Sequence, residues 1–309
     1  MRIAVTGATG FLGRALCLKL QEHGHTVLAF SRNAEKAQAL LGEEVTCYTW
    51  ETPEKTDWQK ALAETDAVIH LAGESVAGER WTPAFKQRLT TSRVETTRRL
   101  VNVLCAANPR PKTLISASAV GYYGDRGDEI LTEDSEPGTD FLGQMCQQWE
   151  AETQRAAECG LREVRLRIGI VLGDGGSLEK MLYPLPLPIS PWKLGLGGPL
   201  GSGKQWLPWV HVQDIVGMVL WALENPAVSG AVNATAPNPV TNAEFSRALG
   251  RVLHRPAVLP VPAFALRAML GEFAQVVLGG QRVMPTIAEQ HNYTFQYNDV
   301  EQALHSLLK

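Results

Sequence analysis

No stretch of the 309-residue chain approaches the ~20 consecutive apolar residues that a membrane-spanning helix needs. An excess of one charge is also lacking: 29 Lys and Arg stand against 32 Asp and Glu, a net charge of −3. Binders of nucleic acid or of membrane surfaces usually carry a basic excess, so neither is expected as a partner. Cysteine is sparse. Cys17, Cys47, Cys105, Cys146 and Cys159 are odd in number, scattered and without CxxC spacing. That pattern favours reduced thiols in a cytoplasmic compartment over disulfides or a zinc site. The first residues run straight into a glycine motif, so no signal peptide is expected. Internal repeats and low-complexity tails are not found.

What is present is alternation. Short apolar runs rich in β-branched residues at 3–6, 26–30, 45–48, 67–71, 113–116 and 163–168 predict strands. Amphipathic stretches at 11–23, 83–107 and 142–159 predict helices between them. Strand and helix in alternation read as an α/β protein, a doubly wound parallel sheet of the Rossmann fold. The pattern changes after Gly169. Residues 173–203 are rich in Gly and Pro, with Pro184, Pro186, Pro188 and Pro191 in quick succession, and long loops of that kind are usually functional or mobile. Beyond them, 209–223 predicts a strand and a helix, 233–236 another strand, and 242–253 a helix with Asn242 as its cap.

The first strand leads into Thr6-Gly7-Ala8-Thr9-Gly10-Phe11-Leu12-Gly13. Gly7 permits a tight turn, Gly10 leaves room for a pyrophosphate against the backbone, and Gly13 lets the helix pack closely on the sheet. The phosphates then meet the positive end of the helix. The bland alternative is a tight βα turn without ligand. An NAD site usually places an acid at the end of the next strand for the ribose 2′-hydroxyl. Here that strand ends Ala29-Phe30-Ser31-Arg32-Asn33. Ser31 can donate to a 2′-phosphate, and the Arg32 guanidinium suits phosphate. The expected cofactor is therefore NADP(H), against the competing reading of Arg32 as a solvated loop residue. Residues 1–169 are expected to form the NADP(H)-binding domain. Residues 170–309 are expected to form a smaller C-terminal α/β region that caps the substrate, with about 209–236 returning to pack on the first domain.

These residues resemble the extended short-chain dehydrogenase/reductase superfamily along nearly the whole chain. His70-Leu71-Ala72-Gly73 matches its fourth-strand signature, and Ser116-Ala117-Ser118 followed by Tyr122-Tyr123-Gly124 matches the segment of its catalytic serine. The chain is similar, more narrowly, to the atypical "epimerase family" (nucleoside-diphosphate-sugar epimerase-like) subgroup. Its marks here are Leu71-Ala72-Gly73-Glu74-Ser75, Arg80-Trp81, Ser92-Arg93, Trp149-Glu150, Leu194–Pro199 and Gly201–Gln205. The resemblance implies cofactor contacts from the glycine turn with Phe11 and Leu12, from Ser31 and Arg32, and from Leu71, Ala72 and Gly73. It also implies that Arg93 and Arg167 reach toward the cofactor cleft.

The superfamily's chemistry pairs a Tyr and a Lys, as Tyr-x-x-x-Lys on one helix, with a Ser or Thr; the lysine lowers the tyrosine pKa, and the tyrosine moves the proton. Ser118 fits the serine. The tyrosine slot falls near Phe141 or Leu142 and the lysine slot at Met145 or Cys146, none of which can do that work. Tyr122 and Tyr123 are the substitutes expected to enter the cleft, with core packing as their competing reading. Glu74 can serve as an acid or base near the substrate, or else cap a helix. Cys146 lacks a basic neighbour that would make it a thiolate and reads as structural. His70 reads as a buried, satisfied histidine, and His211 and Asp214 as residues that set a loop and cap a helix. Metal ligands do not cluster.

Gly195–Gln205 is glycine-rich and carries Ser202, Lys204 and Gln205, with Trp206 and Trp209 close behind. Backbone amides, one cation and aromatic faces suit a sugar-like or anionic small molecule, and Gly201, Ser202, Lys204, Gln205 and Trp209 are its candidate ligands; the alternative is a flexible linker. Two functions stay open. One is an NADP(H)-dependent oxidoreductase or epimerase-like enzyme acting through Ser118, Tyr122 and Tyr123. The other is a non-catalytic NADP(H)-binding sensor or scaffold.

Overall fold

The computed structural model describes residues 1–50, 57–183 and 190–308, so Pro184, Pro186 and Pro188 of the proline-rich stretch lie outside the described residues. The first half runs β1 (Arg2–Thr6), α1 (Phe11–Glu22), β2 (Thr26–Ser31), α2 (Ala34–Leu41), β3 (Thr46–Thr49), α3 (Asp57–Ala63), β4 (Ala67–His70), α4 (Pro83–Ala106), β5 (Thr113–Ala119) and a short 3-10 turn, Val120–Tyr123. It continues with β6 (Ile130–Leu131), α5 (Phe141–Glu158), β7 (Arg162–Ile168), β8 (Ile170–Leu172) and α6 (Ser177–Leu182). The second half runs β9 (Trp206–Leu207), β10 (Trp209–His211), α7 (Val212–Glu224), β11 (Gly230–Ala234), β12 (Val240–Thr241) and α8 (Asn242–Val252). It ends with α9 (Ala263–Leu270), α10 (Ala274–Leu278), β13 (Arg282–Val283), α11 (Thr286–Gln290) and α12 (Val300–Leu307).

Among the described residues the central sheet has seven strands in the order β3-β2-β1-β4-β5-β7-β11, and every pairing is parallel. The chain winds outward from β1 through β2 and β3, recrosses to β4, and winds the other way. That reversal opens a crevice at the carboxyl ends of β1 and β4. Alternate residues of a strand face opposite sides, and here both sides are covered. Ile3 and Val5 pack with Leu16 and Leu20 of α1 and Ile215 and Val219 of α7. Ala4 faces the other core, with Val68, Leu100, Leu104 and Leu114. A strand buried on both faces reads as a continuous apolar run, which is why these strands were legible.

Tertiary pairing moved several boundaries. β5 runs three residues beyond the expected end at Ser116, because its ladder with β7 continues and sets Ser118 opposite Arg167. β11 begins at Gly230 rather than at 233, since Gly230 already pairs with Val164. Thr241, not Asn242, caps α8: its hydroxyl accepts from the Glu244 amide and the Glu244 carboxylate accepts from the Thr241 amide. Asn242 instead accepts from the Leu200 amide at 2.7 Å. His211 caps α7 through Nδ1. Asp214 does not cap; its carboxylate accepts from the Gln296 and Tyr297 amides at 2.7 and 3.0 Å and so ties down the chain before α12.

The expectation of reduced thiols throughout is corrected at one pair. Cys105 and Cys159 are disulfide-bonded, with Cα atoms 5.4 Å apart. They sit at the ends of α4 and α5, which pack side by side, so their termini meet although 54 residues separate them in sequence. Cys17, Cys47 and Cys146 are free thiols. Among the described residues no helix is long and apolar enough to cross a membrane.

Candidate functional site

At the crevice the three glycines of the turn do different work. Gly7 has φ +69°, and a Cβ on it would come within 2.7 Å of the Leu71 backbone. The turn and the end of β4 are therefore in contact. A Cβ on Gly13 would lie 2.2 Å from the Gly7 carbonyl, so helix and turn leave no space there. A Cβ on Gly10 would meet only the Gly7 oxygen, at 3.2 Å. Gly10 is also the N-cap of α1, and neither a side-chain cap nor an acid in the first turn occupies that helix end. Helix amides left without partners, beside a position without a side chain, suit an anion.

At the end of β2, the Ser31 hydroxyl accepts from the Asn33 amide, and Asn33 caps α2 through the Lys36 amide. Arg32 is exposed, and its guanidinium forms no ion pair with any described residue. Past the end of β4, the Ala72 amide donates to the Thr6 hydroxyl at 3.4 Å. Arg93 folds under this segment. Its Nη2 donates to the Glu74 carbonyl at 2.8 Å, and a Cβ on Gly73 would touch its guanidinium. Burial lowers its pKa. The Glu74 carboxylate instead faces Arg88, 3.6 Å away. His70 is fully buried between Thr6 and Thr97, bonded at both ring nitrogens, and burial pulls it down to about 4.

Ser118 and Arg167, neighbours on β5 and β7, belong to a buried polar network. The Ser118 hydroxyl donates to Glu150 Oε1 at 2.6 Å. Arg167 grips the same carboxylate with a two-pronged fork, Nε to Oε1 at 2.9 Å and Nη2 to Oε2 at 3.0 Å. Both side chains are only 4% exposed. Burial by itself would lower the Arg167 pKa, but the Glu150 carboxylate outweighs it and raises it. Nη1 of Arg167 donates to the Tyr123 hydroxyl and to the Glu133 carbonyl, both at 2.9 Å. The Tyr123 hydroxyl donates in turn to Asn233 Oδ1 at 2.6 Å. Tyr123 is fully buried, and burial pushes its hydroxyl up to about 12 against the opposing pull of Arg167. Tyr122 differs. It is half-buried, the Arg167 guanidinium lies 3.6 Å over its ring, and its hydroxyl has no partner among the described residues.

The slots for a Tyr-Lys pair lie in the first turns of α5. Phe141 and Leu142 are half-buried, and Met145 and Cys146 are buried. Burial pushes the Cys146 thiol up to about 12, so it stays a thiol.

Two candidates from the glycine-rich loop, Gly201 and Gln205, reach α10. Gly201 packs against the end of α10, where a Cβ would meet Leu278. Gln205 donates to the Leu200 and Val277 carbonyls, while Ser202 and Lys204 are exposed. Trp209 is not brought to the crevice; it is 1% exposed in the C-terminal core and donates to the Asn238 carbonyl.

Glu150, Glu133 and Asn233 were not among the residues singled out as candidates, yet they hold the network together. Glu133 Oε1 accepts from the Asn233 and Ile287 amides. For Glu150 a signal existed. It shares the buried stripe of α5 with Cys146, Trp149 and Thr153, and an acid on an apolar stripe calls for a buried counter-charge.

Residues 3–234 match the NAD dependent epimerase/dehydratase family, and residues 261–307 match a domain of unknown function (DUF1731). The chain is 41% identical over 309 residues to epimerase family protein YfhF of Bacillus subtilis, covering 100% of this chain and 98% of that one. It is 38% identical to the chloroplastic SDR39U1 homolog of Arabidopsis thaliana, over 100% of this chain and 87% of that one. The crystal structure of human epimerase family protein SDR39U1 with NADPH is similar at TM-score 0.85 and 34% identity, covering 99% of both chains. UDP-glucuronic acid 4-epimerase from Bacillus cereus, in complex with NAD, shares the fold at TM-score 0.77 and 18% identity, over 99% of this chain and 97% of that one.

Proposed function

The chain belongs to the NAD dependent epimerase/dehydratase family, and on that premise we propose that it binds NADP(H) in the crevice and acts as an oxidoreductase or epimerase-like enzyme on a small molecule. The observation that carries the cofactor is at the end of β2: an exposed arginine without an ionic partner among the described residues, beside Ser31, where an NAD site would have an acid. The residues present fit the group. Gly10 leaves the notch and the uncapped α1 end for the pyrophosphate, Arg32 and Ser31 take the 2′-phosphate, and Leu71, Ala72 and Gly73 border the nucleotide. When bound, the nicotinamide supplies or accepts a hydride. The human relative crystallised with NADPH supports the same choice.

Arg32→Asp replaces a phosphate ligand by a repelling charge that also accepts from a 2′-hydroxyl. NADPH affinity is expected to fall by roughly 100-fold and NADH affinity to rise. Fluorescence titration of both cofactors checks this; equal affinity for both in the unmodified protein would defeat the 2′-phosphate argument.

On the chain's side, proton handling falls to Tyr122. The Ser118 and Tyr123 hydroxyl protons are already given to Glu150 and Asn233, so these two position Arg167 and the neighbouring ring. Tyr122→Phe is expected to abolish NADPH turnover while cofactor affinity stays unchanged. Cys146→Ala is expected to alter neither, and turnover lost in Cys146→Ala with Tyr122→Phe active would point to thiol chemistry instead. The same commitment of Ser118 and Tyr123 favours a second reading, a non-catalytic NADP(H) sensor. Cofactor binding with no turnover across carbonyls, sugars and nucleotide sugars would select it.

A further inference from the structure

Beside the half-buried Tyr122 ring, four parts of the chain converge: the first turns of α4, the first turns of α5, the end of β5, and, from the helical hairpin of α9 and α10, the link at Phe273 and the start of α10. Trp81, Phe85, Leu89, Met145 and Cys146 form a buried cluster there. Phe141, Leu142, Phe273 and Val276 pack on it half-buried, as Tyr122 does. Trp81 stands edge-on to Phe141, with ring centroids 5.2 Å apart, and is tilted against Phe273 at 5.5 Å. At the rim Lys86 pairs with Glu272 and lies over the Phe141 ring, 5.1 Å from its centroid, and Arg80 lies against Gly271. Phe141 to Cys146 are also the positions where a Tyr-Lys pair would stand, so the ground beside Tyr122 is apolar on the α5 side, while the Arg167 guanidinium covers one face of its ring.

The cover is lightly built. α9 buries only Leu266, while Phe264 is 74% exposed. α10 buries only Ala274. Within the hairpin the polar ties to the rest of the chain are Glu272 to Lys86 and the Val277 carbonyl to Gln205, and its flanks are fixed by Val261 to Pro199 and Gly201 and by Gly280 to Asp125. A segment with few buried apolar contacts opens at low cost.

We propose that the substrate is a flat, largely apolar molecule with one carbonyl or hydroxyl oxygen, which enters between Phe141 and Phe273 as the α9–α10 hairpin lifts and sets that oxygen against the Tyr122 hydroxyl. This rests on the nucleotide reading above and narrows its substrate class. A sugar ring carries hydroxyls on every edge. Buried among these side chains they would lack partners, each costing about tenfold or more in affinity. A flat aromatic ring loses nothing of that kind and gains from edge-to-face contact with Trp81 and Phe273.

The test titrates acetonaphthone and UDP-glucose separately onto the full chain loaded with NADP+, by calorimetry. Acetonaphthone is expected to bind and UDP-glucose not. Phe273→Ser is expected to weaken acetonaphthone about tenfold and to leave NADP+ affinity unchanged. In the unmodified chain, acetonaphthone is expected to slow hydrogen exchange across residues 263–278, which keeps the test open if the variant does not fold. UDP-glucose binding without acetonaphthone binding overturns the proposal. So does equal acetonaphthone affinity in Phe273→Ser, or unchanged exchange over 263–278. NADP+ binding is read first. Its failure overturns the nucleotide reading, and the acetonaphthone titration is then scored in the same way without it.

Discussion

Replacing Arg167 by leucine is expected to destabilise the fold by about 3–5 kcal/mol, read as a lower urea midpoint at unchanged slope. The size follows from burial. Arg167 and Glu150 are each 4% exposed and joined by two hydrogen bonds. Without Arg167 the carboxylate keeps, among the described residues, Ser118 at 2.6 Å and Arg165 at 3.3 Å. The Tyr123 hydroxyl and the Glu133 carbonyl lose a donor as well. The pair itself need not be stabilising, since desolvating two ions offsets most of their attraction. A double change, Arg167→Leu with Glu150→Leu, is therefore expected to recover much of the loss. If the double variant is as unstable as the sum of the single ones, the two side chains are not coupled and the network is misread.

Gly10→Val is expected to leave the fold intact and to remove cofactor binding, with a loss of at least ~100-fold in NADPH affinity. Gly10 has φ −73°, so the backbone tolerates a side chain, and the added Cβ meets only one oxygen, at 3.2 Å. The remaining methyl groups would fill the notch before the α1 amides. Gly13→Ala makes the contrast. Its Cβ would lie 2.2 Å from the Gly7 carbonyl, so the helix must shift from the sheet and stability should fall with binding. Circular dichroism and NADPH titration of both variants separate the two effects. A folded Gly10→Val that binds NADPH normally would remove the turn from the proposed site.

The strands and the glycine turn were legible for one reason. A parallel strand covered on both faces needs an unbroken apolar run, and a tight βα turn needs glycine where side chains cannot fit. Arg32 was legible as a departure from a pattern, the missing acid at the end of β2. The network around Arg167 was not. Its members come from β5, the Val120–Tyr123 turn, α5, β7 and β11, and their charges and hydroxyls acquire partners only when those elements meet. Ser118 shows the difference: the sequence marks it as a hydroxyl near the crevice, while the pairing of β5 with β7 and the packing of α5 give its proton to Glu150.

The same division holds for the rest of the chain. Local periodicity and turn chemistry by themselves determined a doubly wound α/β protein with a glycine turn at its first helix. Long-range packing decided that Cys105 meets Cys159 and that Trp209 is buried in the C-terminal core. It also decided that Phe273 and Val276 pack on an apolar cluster beside Tyr122. Periodicity acts over a few residues and is written in neighbouring side chains. Which distant polar or aromatic groups become partners depends on how layers stack, and no local run of sequence carries that.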